Sequence, residues 1–155
     1  MLDALYSKEV LRKAGNITRT GRLENPNVTV FRASPVCGSR IRIDLNVEDG
    51  QVSDYAQEIN ACALGQSSAA IVAEHVIGKT AEELRALART MRTMLLDGGP
   101  PPDGEWADLA VLASVHDHKA RHGAVMLPFE SIIDGLAQIA GEDGIAPDDQ
   151  LTKNA

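Results

Sequence analysis

The chemistry this 155-residue chain can perform centres on few side chains: two cysteines, Cys37 and Cys62, and the histidines His116, His118 and His122 within "VHDHKARHG". Thiolates and imidazoles bind soft and borderline metal ions, and a thiolate also attacks sulfur in exchange reactions. Two readings of the cysteines stand side by side. They form one reactive or metal-binding site, or they are two small buried hydrophobes, a common fate of free cysteine. For the histidines, His118 and His122 have the i, i+4 spacing that lets both reach one ion if the segment is helical. The plainer reading is a solvated polar helix start. His75 sits at the far end of its own helix, about 20 Å from Cys62 at 1.5 Å per residue, and is set aside as a ligand.

What must position these groups can be read from periodicity. Between the cysteines, Ile41, Ile43, Leu45 and Val47 alternate with Arg40, Arg42, Asp44 and Asn46, the period of a half-buried strand over 40–47. Asp49-Gly50 is a favoured two-residue hairpin turn, so residues 51–59 return as the partner strand. With that turn Glu48 faces Gln51, Arg40 faces Ile59, and in the same register Cys37 faces Cys62 just beyond the strand ends, about 5 Å apart. A slip or bulge would change that distance yet leave both thiols at one end of the sheet. Cys37 lies in "PVCGS", where Pro35 and Gly38 imply a fixed turn. Cys62 stands at the expected N-terminus of a helix, where the macrodipole favours an anion. A tetrahedral metal site still wants four ligands, and two thiols supply half of them.

The remaining elements follow the same signals. Residues 2–14 carry Leu2, Leu5, Tyr6, Val10 and Leu11 near helical spacing, and predict a short amphipathic helix. "AGNITRTGRLENPN" reads as loop, and residues 28–33 as a first strand. A small-residue helix begins near Ala63 and stops at Gly78. "GKTAEEL" is not the end of a phosphate loop, because that motif needs glycine where Ala73 stands. Thr80 and Glu83 instead form a capping box that starts a helix burying Leu84, Leu87, Met91, Met94 and Leu95. After the loop "DGGPPPDGE", a short helix is expected over 105–115 and a last one over 122–140, with Pro128 either kinking it or in its first turn. Residues 1–140 are read as one domain and 141–155 as a disordered acidic tail.

Composition bounds the function. Charged residues make up 24% and hydrophobic residues 44%, and a chain of this length buries roughly two-thirds of its unfolded surface without needing a disulfide. A formal net charge of -7 argues against nucleic acid as partner. No apolar run in the sequence reads as a membrane span of about 20 residues, and "MLDALYSKEVLRK" mixes charge into its apolar positions unlike a signal peptide. The expectation is a cytoplasmic protein, whose cysteines are free thiols, metal ligands or redox groups.

Four segments in order, covering residues 7 to 137, resemble the iron-sulfur cluster assembly scaffolds of the NifU/IscU type, including the SufU branch. "SPVCGSRIRIDL" is similar to the family's Asn-Pro-x-Cys-Gly-Asp segment and following strand, and "INACALGQSSAA" to its Gly-Cys-Ala-Ile-Ser segment and small-residue helix. "VIGKTAEEL" resembles its Gly-Lys-Thr helix start, and "ARHGAVMLPFESI" its last helix. The resemblance implies an α+β fold, a three-stranded antiparallel sheet with helices packed on it. It also implies a scaffold, not an enzyme, that receives sulfur from a cysteine desulfurase, builds or holds an iron-sulfur cluster, and passes it to recipient apoproteins.

By that resemblance Cys37 and Cys62 fall on the family's first and second ligand cysteines. Ser39 stands where the aspartate after Cys-Gly belongs, Ala124 where the third cysteine belongs, and Gly123 where a histidine or lysine precedes it, with His122 one position away. "SVHDHKA" replaces the chaperone-recognition segment Leu-Pro-Pro-Val-Lys. A [2Fe-2S] cluster takes four ligands. Two routes supply them: a homodimer pairing Cys37 and Cys62 from each chain, or a mixed site with nitrogen from His122 or His118. Iron alone or zinc are the alternative cargoes, and a persulfide on one cysteine needs no metal.

Overall fold

The computed structural model describes residues 6–141; Leu2, Leu5 and the expected tail over 142–155 lie outside them. Helix α1 (Lys8–Gly15) opens on Ser7, whose hydroxyl accepts from the Val10 N–H at 3.3 Å. It buries Val10 and Ala14 against α2 (Ala63–His75). Leu11 departs from expectation: it is 52% exposed. One residue beyond Val10 is a turn of about 100° around the helix, which carries Leu11 off the packed face.

The sheet runs β1 (Val28–Ala33), β2 (Arg40–Glu48), β3 (Gln51–Asn60), antiparallel and in that spatial order. Ile41, Ile43 and Leu45 point inward, where the helices cover them. Asp49 and Gly50 both have positive φ, 52° and 76°, as the two-residue turn requires. Glu48 faces Gln51 and Val47 faces Val52 as expected, but Asn46 then faces Asp54, leaving Ser53 as the extra residue of a bulge. Arg40 therefore faces Asn60, not Ile59. The one-residue shift also removes the direct Cys37–Cys62 register predicted from the turn.

The outer sheet face is held by one buried carboxylate. Asp44, 1% exposed, accepts from Arg22 Nε (2.7 Å), the Thr29 hydroxyl (2.7 Å) and the Leu23 N–H (3.0 Å), pinning the loop before β1 over the sheet. That loop also protects the β3 edge, where Gly21 N–H donates to Gln57 O and Gln57 N–H to Arg19 O.

Helix α3 (Ala81–Asp97) starts on Thr80, whose hydroxyl oxygen accepts from the Glu83 N–H at 3.1 Å, and buries all five residues its periodicity selected. The short helix expected over 105–115 is instead a 3-10 segment, Gly104–Asp117. Its buried residues Leu109, Leu112 and Val115 are spaced by three, which only a three-residue turn stacks on one face. A 3-10 turn, Lys119–Arg121, leads into α4 (His122–Ala140). Pro128 lies inside α4, beyond its first turn, and having no N–H it leaves the Ala124 carbonyl without a helical donor. Arg32 of β1, fully buried, pairs with Asp134 and ties α4 to the sheet. Contrary to the sequence reading, Lys119–Ala140 is long and apolar enough to cross a bilayer by length and composition; 72% of its most apolar window is buried in the domain, as in a core helix.

Candidate functional site

Cys37 occupies the tip of the β1–β2 hairpin. Ser34 N–H donates to Ser39 O at 2.7 Å and Gly38 N–H to Ser34 O at 2.9 Å, closing a four-residue loop in which Gly38 takes φ +74°. A side chain is strained there, so the glycine after Cys37 has a local reason. Ser34 and Ser39 are buried, and their hydroxyls flank the Cys37 sulfur at 3.6 and 3.2 Å. Partial burial pushes the thiol pKa up. Hydrogen bonds from the Ser39 and Ser34 hydroxyls and the Ser39 backbone, with the positive charge of Arg121, outweigh it and hold Cys37 below the ordinary thiol value.

Cys62 is the N-cap residue of α2, in extended conformation. Its carbonyl accepts from the Gln66 N–H at 3.0 Å, while its side chain caps nothing, so the sulfur is not spent on holding the helix. Both cysteines are free thiols and half-buried. Because Arg40 faces Asn60, the loops bearing Cys37 and Cys62 leave the sheet at the same end.

The first turn of α4 closes on the first turn of α2. A Cβ built on Gly65 would stand 2.8 Å from the Ala61 Cβ, 3.2 Å from the Ala124 oxygen and 3.6 Å from the Ala124 Cβ. Ala124 is fully buried. Its methyl thus sits beside the turn that Cys62 caps, while Arg121, three residues earlier, acts on Cys37.

His116, His122 and His75 make contacts of their own. His122 is buried, with Nε2 2.9 Å from Val115 O and 3.1 Å from His116 O, so that nitrogen carries a proton and donates, tying α4 to the 3-10 segment. His116 Nδ1 lies 2.7 Å from Leu95 O. His118 precedes α4, which begins at His122, so the helical i, i+4 pair does not form. Among the described residues, no group of three His, Cys, Asp or Glu could hold a metal ion. His75 packs edge-on to Trp106, ring centroids 5.5 Å apart. Sequence reasoning missed Ser34 and Arg121 as neighbours of the thiol. Pairing β1 with β2 would have found Ser34, since Ala33 facing Arg40 puts Ser34 opposite Ser39.

Residues 5–124 match the family described as NifU-like N terminal domain. The chain belongs to that family. This NifU-like chain superposes on the crystal structure of a nitrogen-fixing NifU-like protein (N-terminal) from Brucella abortus with a TM-score of 0.88 and 42% identity, covering 90% of this chain and 97% of the other. The sheet and helices expected from the resemblance are those of this fold. The iron-sulfur cluster assembly scaffold protein IscU of Thermotoga maritima is 26% identical over 136 residues, 88% of this chain and 95% of that protein. The zinc-dependent sulfurtransferase SufU of Bacillus subtilis is 24% identical, over 90% of this chain and 95% of that protein.

Proposed function

We propose that this NifU-like chain is an iron-sulfur cluster assembly scaffold in which Cys37 and Cys62 hold iron or a [2Fe-2S] cluster as cargo, with sulfur received from a cysteine desulfurase and the product handed to recipient apoproteins. The observation that carries the reading is the convergence at one sheet end of the Cys37 hairpin, the α2 cap at Cys62 and the first turn of α4. Two thiolates fill half of a four-ligand site, and Ala124 contributes a methyl where the family's resemblance implies a third sulfur. The missing ligands then come from outside the chain, and a second copy supplying its own Cys37 and Cys62 meets the count. His122 has its Nε2 on two backbone carbonyls, so any metal it takes is bound through Nδ1.

Anaerobic reconstitution with ferrous iron and sulfide tests the reading. Wild type is expected to develop visible charge-transfer bands and bind iron, with both lost in Cys37→Ser and Cys62→Ser. No bands and no bound iron in wild type would sink it.

A second reading, sulfur transfer, is favoured by the environment of Cys37. Its thiolate attacks the terminal sulfur of a donor persulfide; the new bond forms at Cys37 as the donor S–S bond breaks and the donor cysteine leaves as thiolate. Zinc is the alternative metal for the pair, as the name of the SufU relative suggests. A mass increase of about 32 Da on Cys37, one sulfur atom, after incubation with desulfurase and cysteine is the expected signature; its absence removes this reading.

A further inference from the structure

Outside the thiol site, the outward sheet face carries a feature that neither the fold nor the cargo chemistry uses. The chain has two phenylalanines. Phe129 is buried, while Phe31 on β1 is 54% exposed, and Val36, next to Cys37, is 72% exposed. Phe31 faces Arg42 across the β1–β2 ladder, and Ala33 faces Arg40. Phe31, Arg40, Arg42, Glu58 and Asn60 line an open groove of about 260 Å³. It lies between the two cysteine loops: Arg40 is three residues after Cys37, and Asn60 two before Cys62.

Charge marks the same rim. Glu58, the acidic residue of the groove, is paired with Arg42. Arg40 is exposed, Arg121 is half-buried, and neither makes an ion pair with a described residue. Unpaired cations therefore border the Cys37 loop of a chain whose net charge is -7. The rim is thus a cationic border around an exposed aromatic side chain. An apolar side chain ringed by carboxylates meets it with complementary charge, and aromatic residues and arginine are both enriched at protein interfaces.

We propose that the groove beside Phe31 and Arg40 is the docking surface for the protein that delivers sulfur to Cys37, and that this partner presents an apolar side chain flanked by acidic residues. The proposal rests on the sulfur-accepting reading above. Phe31 anchors the contact, while Arg40 and Arg121 steer the approach and align the donor sulfur with the hairpin tip.

The test compares two donors on the full chain: a purified cysteine desulfurase with radiolabelled cysteine, and a low-molecular-weight persulfide that needs no docking. In Phe31→Ala and Arg40→Glu, loading from the desulfurase is expected to fall at least tenfold, and loading from the small persulfide to stay within twofold of wild type. The salt dependence of desulfurase loading should flatten in Arg40→Glu. Phe31→Leu, which keeps an apolar anchor, should retain most loading, and thermal melts of each variant report folding directly. Equal loss with both donors, or no loss with either, overturns the proposal. So does normal loading combined with failed hand-over to an apoprotein, which would assign the surface to the recipient. If wild type accepts sulfur from neither donor, it is the sulfur-accepting reading that fails.

Discussion

The carbonyl oxygen of Ala124 lies 3.2 Å from the point a Cβ on Gly65 would occupy, and the Ala124 methyl 3.6 Å from it. Two helices thus begin in close contact, one capped by Cys62 and the other carrying an alanine in its first turn. Pro128 contributes by removing the N–H that would otherwise bond the Ala124 carbonyl.

Ala124→Cys adds a third sulfur beside that junction. Zinc affinity, measured by competition with a chromophoric chelator, is expected to rise at least tenfold, about 1.4 kcal/mol. The added atom enters a buried position and should cost about 1 kcal/mol of stability. An unchanged zinc affinity would show that position 124 does not face the ion held by Cys37 and Cys62.

Gly65→Ala tests the helix contact itself. The new methyl meets Ala61 at 2.8 Å and the Ala124 carbonyl at 3.2 Å, neither on a flexible side chain. Overpacking costs about 1–3 kcal/mol and improved helix propensity returns about 1. A net loss of up to about 2 kcal/mol is expected in urea denaturation, and a stabilised variant would contradict the close approach.

The Ser34→Ala, Ser39→Ala double variant removes two of the groups that hold the Cys37 thiol below its ordinary pKa. The midpoint of its alkylation rate against pH, read on Cys37 by mass spectrometry, should move up, slowing the reaction at pH 7. Thiolate is the reacting form, so fewer stabilising hydrogen bonds mean less of it at a given pH. An unmoved midpoint would show that the hydroxyls only pack the loop.

Burial pushes the Asp44 carboxyl up, but the Arg22 and Thr29 hydrogen bonds, the Leu23 N–H and the Arg22 charge together bring it below the ordinary carboxylate value. The folded state therefore binds this proton less readily than the unfolded chain. The stability it contributes is present above the unfolded pKa of about 4 and is lost as pH falls through the lower folded value. Asp44→Asn should cost about 1–3 kcal/mol at pH 7, and its gap from wild type should narrow as pH is lowered below 4. Urea titrations across pH measure both, and a gap that widens in acid would reverse the sign.

Short stretches of the chain suffice for the local elements: the alternation from Arg40 to Val47, the Asp49-Gly50 turn, the Thr80 cap and the apolar face of α3 are all written within a few residues of one another, where periodicity and turn chemistry act. The same short-range logic brought the two cysteine loops to one end of the sheet and, with the four resembling segments, named the family. What it could not decide were relations between distant segments. The bulge at Ser53 shifted the register by one because a bulge is a bargain between two strands and the loop over them, not a property of either strand. Leu11 faced outward because the packing of α1 on α2 chose the face. Tertiary packing set which nitrogen of His122 faces the carbonyls of Val115 and His116, and Arg121 met Cys37 only because α4 begins where the β1–β2 hairpin ends. Long-range contacts of this kind depend on how whole elements pack, and that information is spread over the chain rather than held in any one stretch of it.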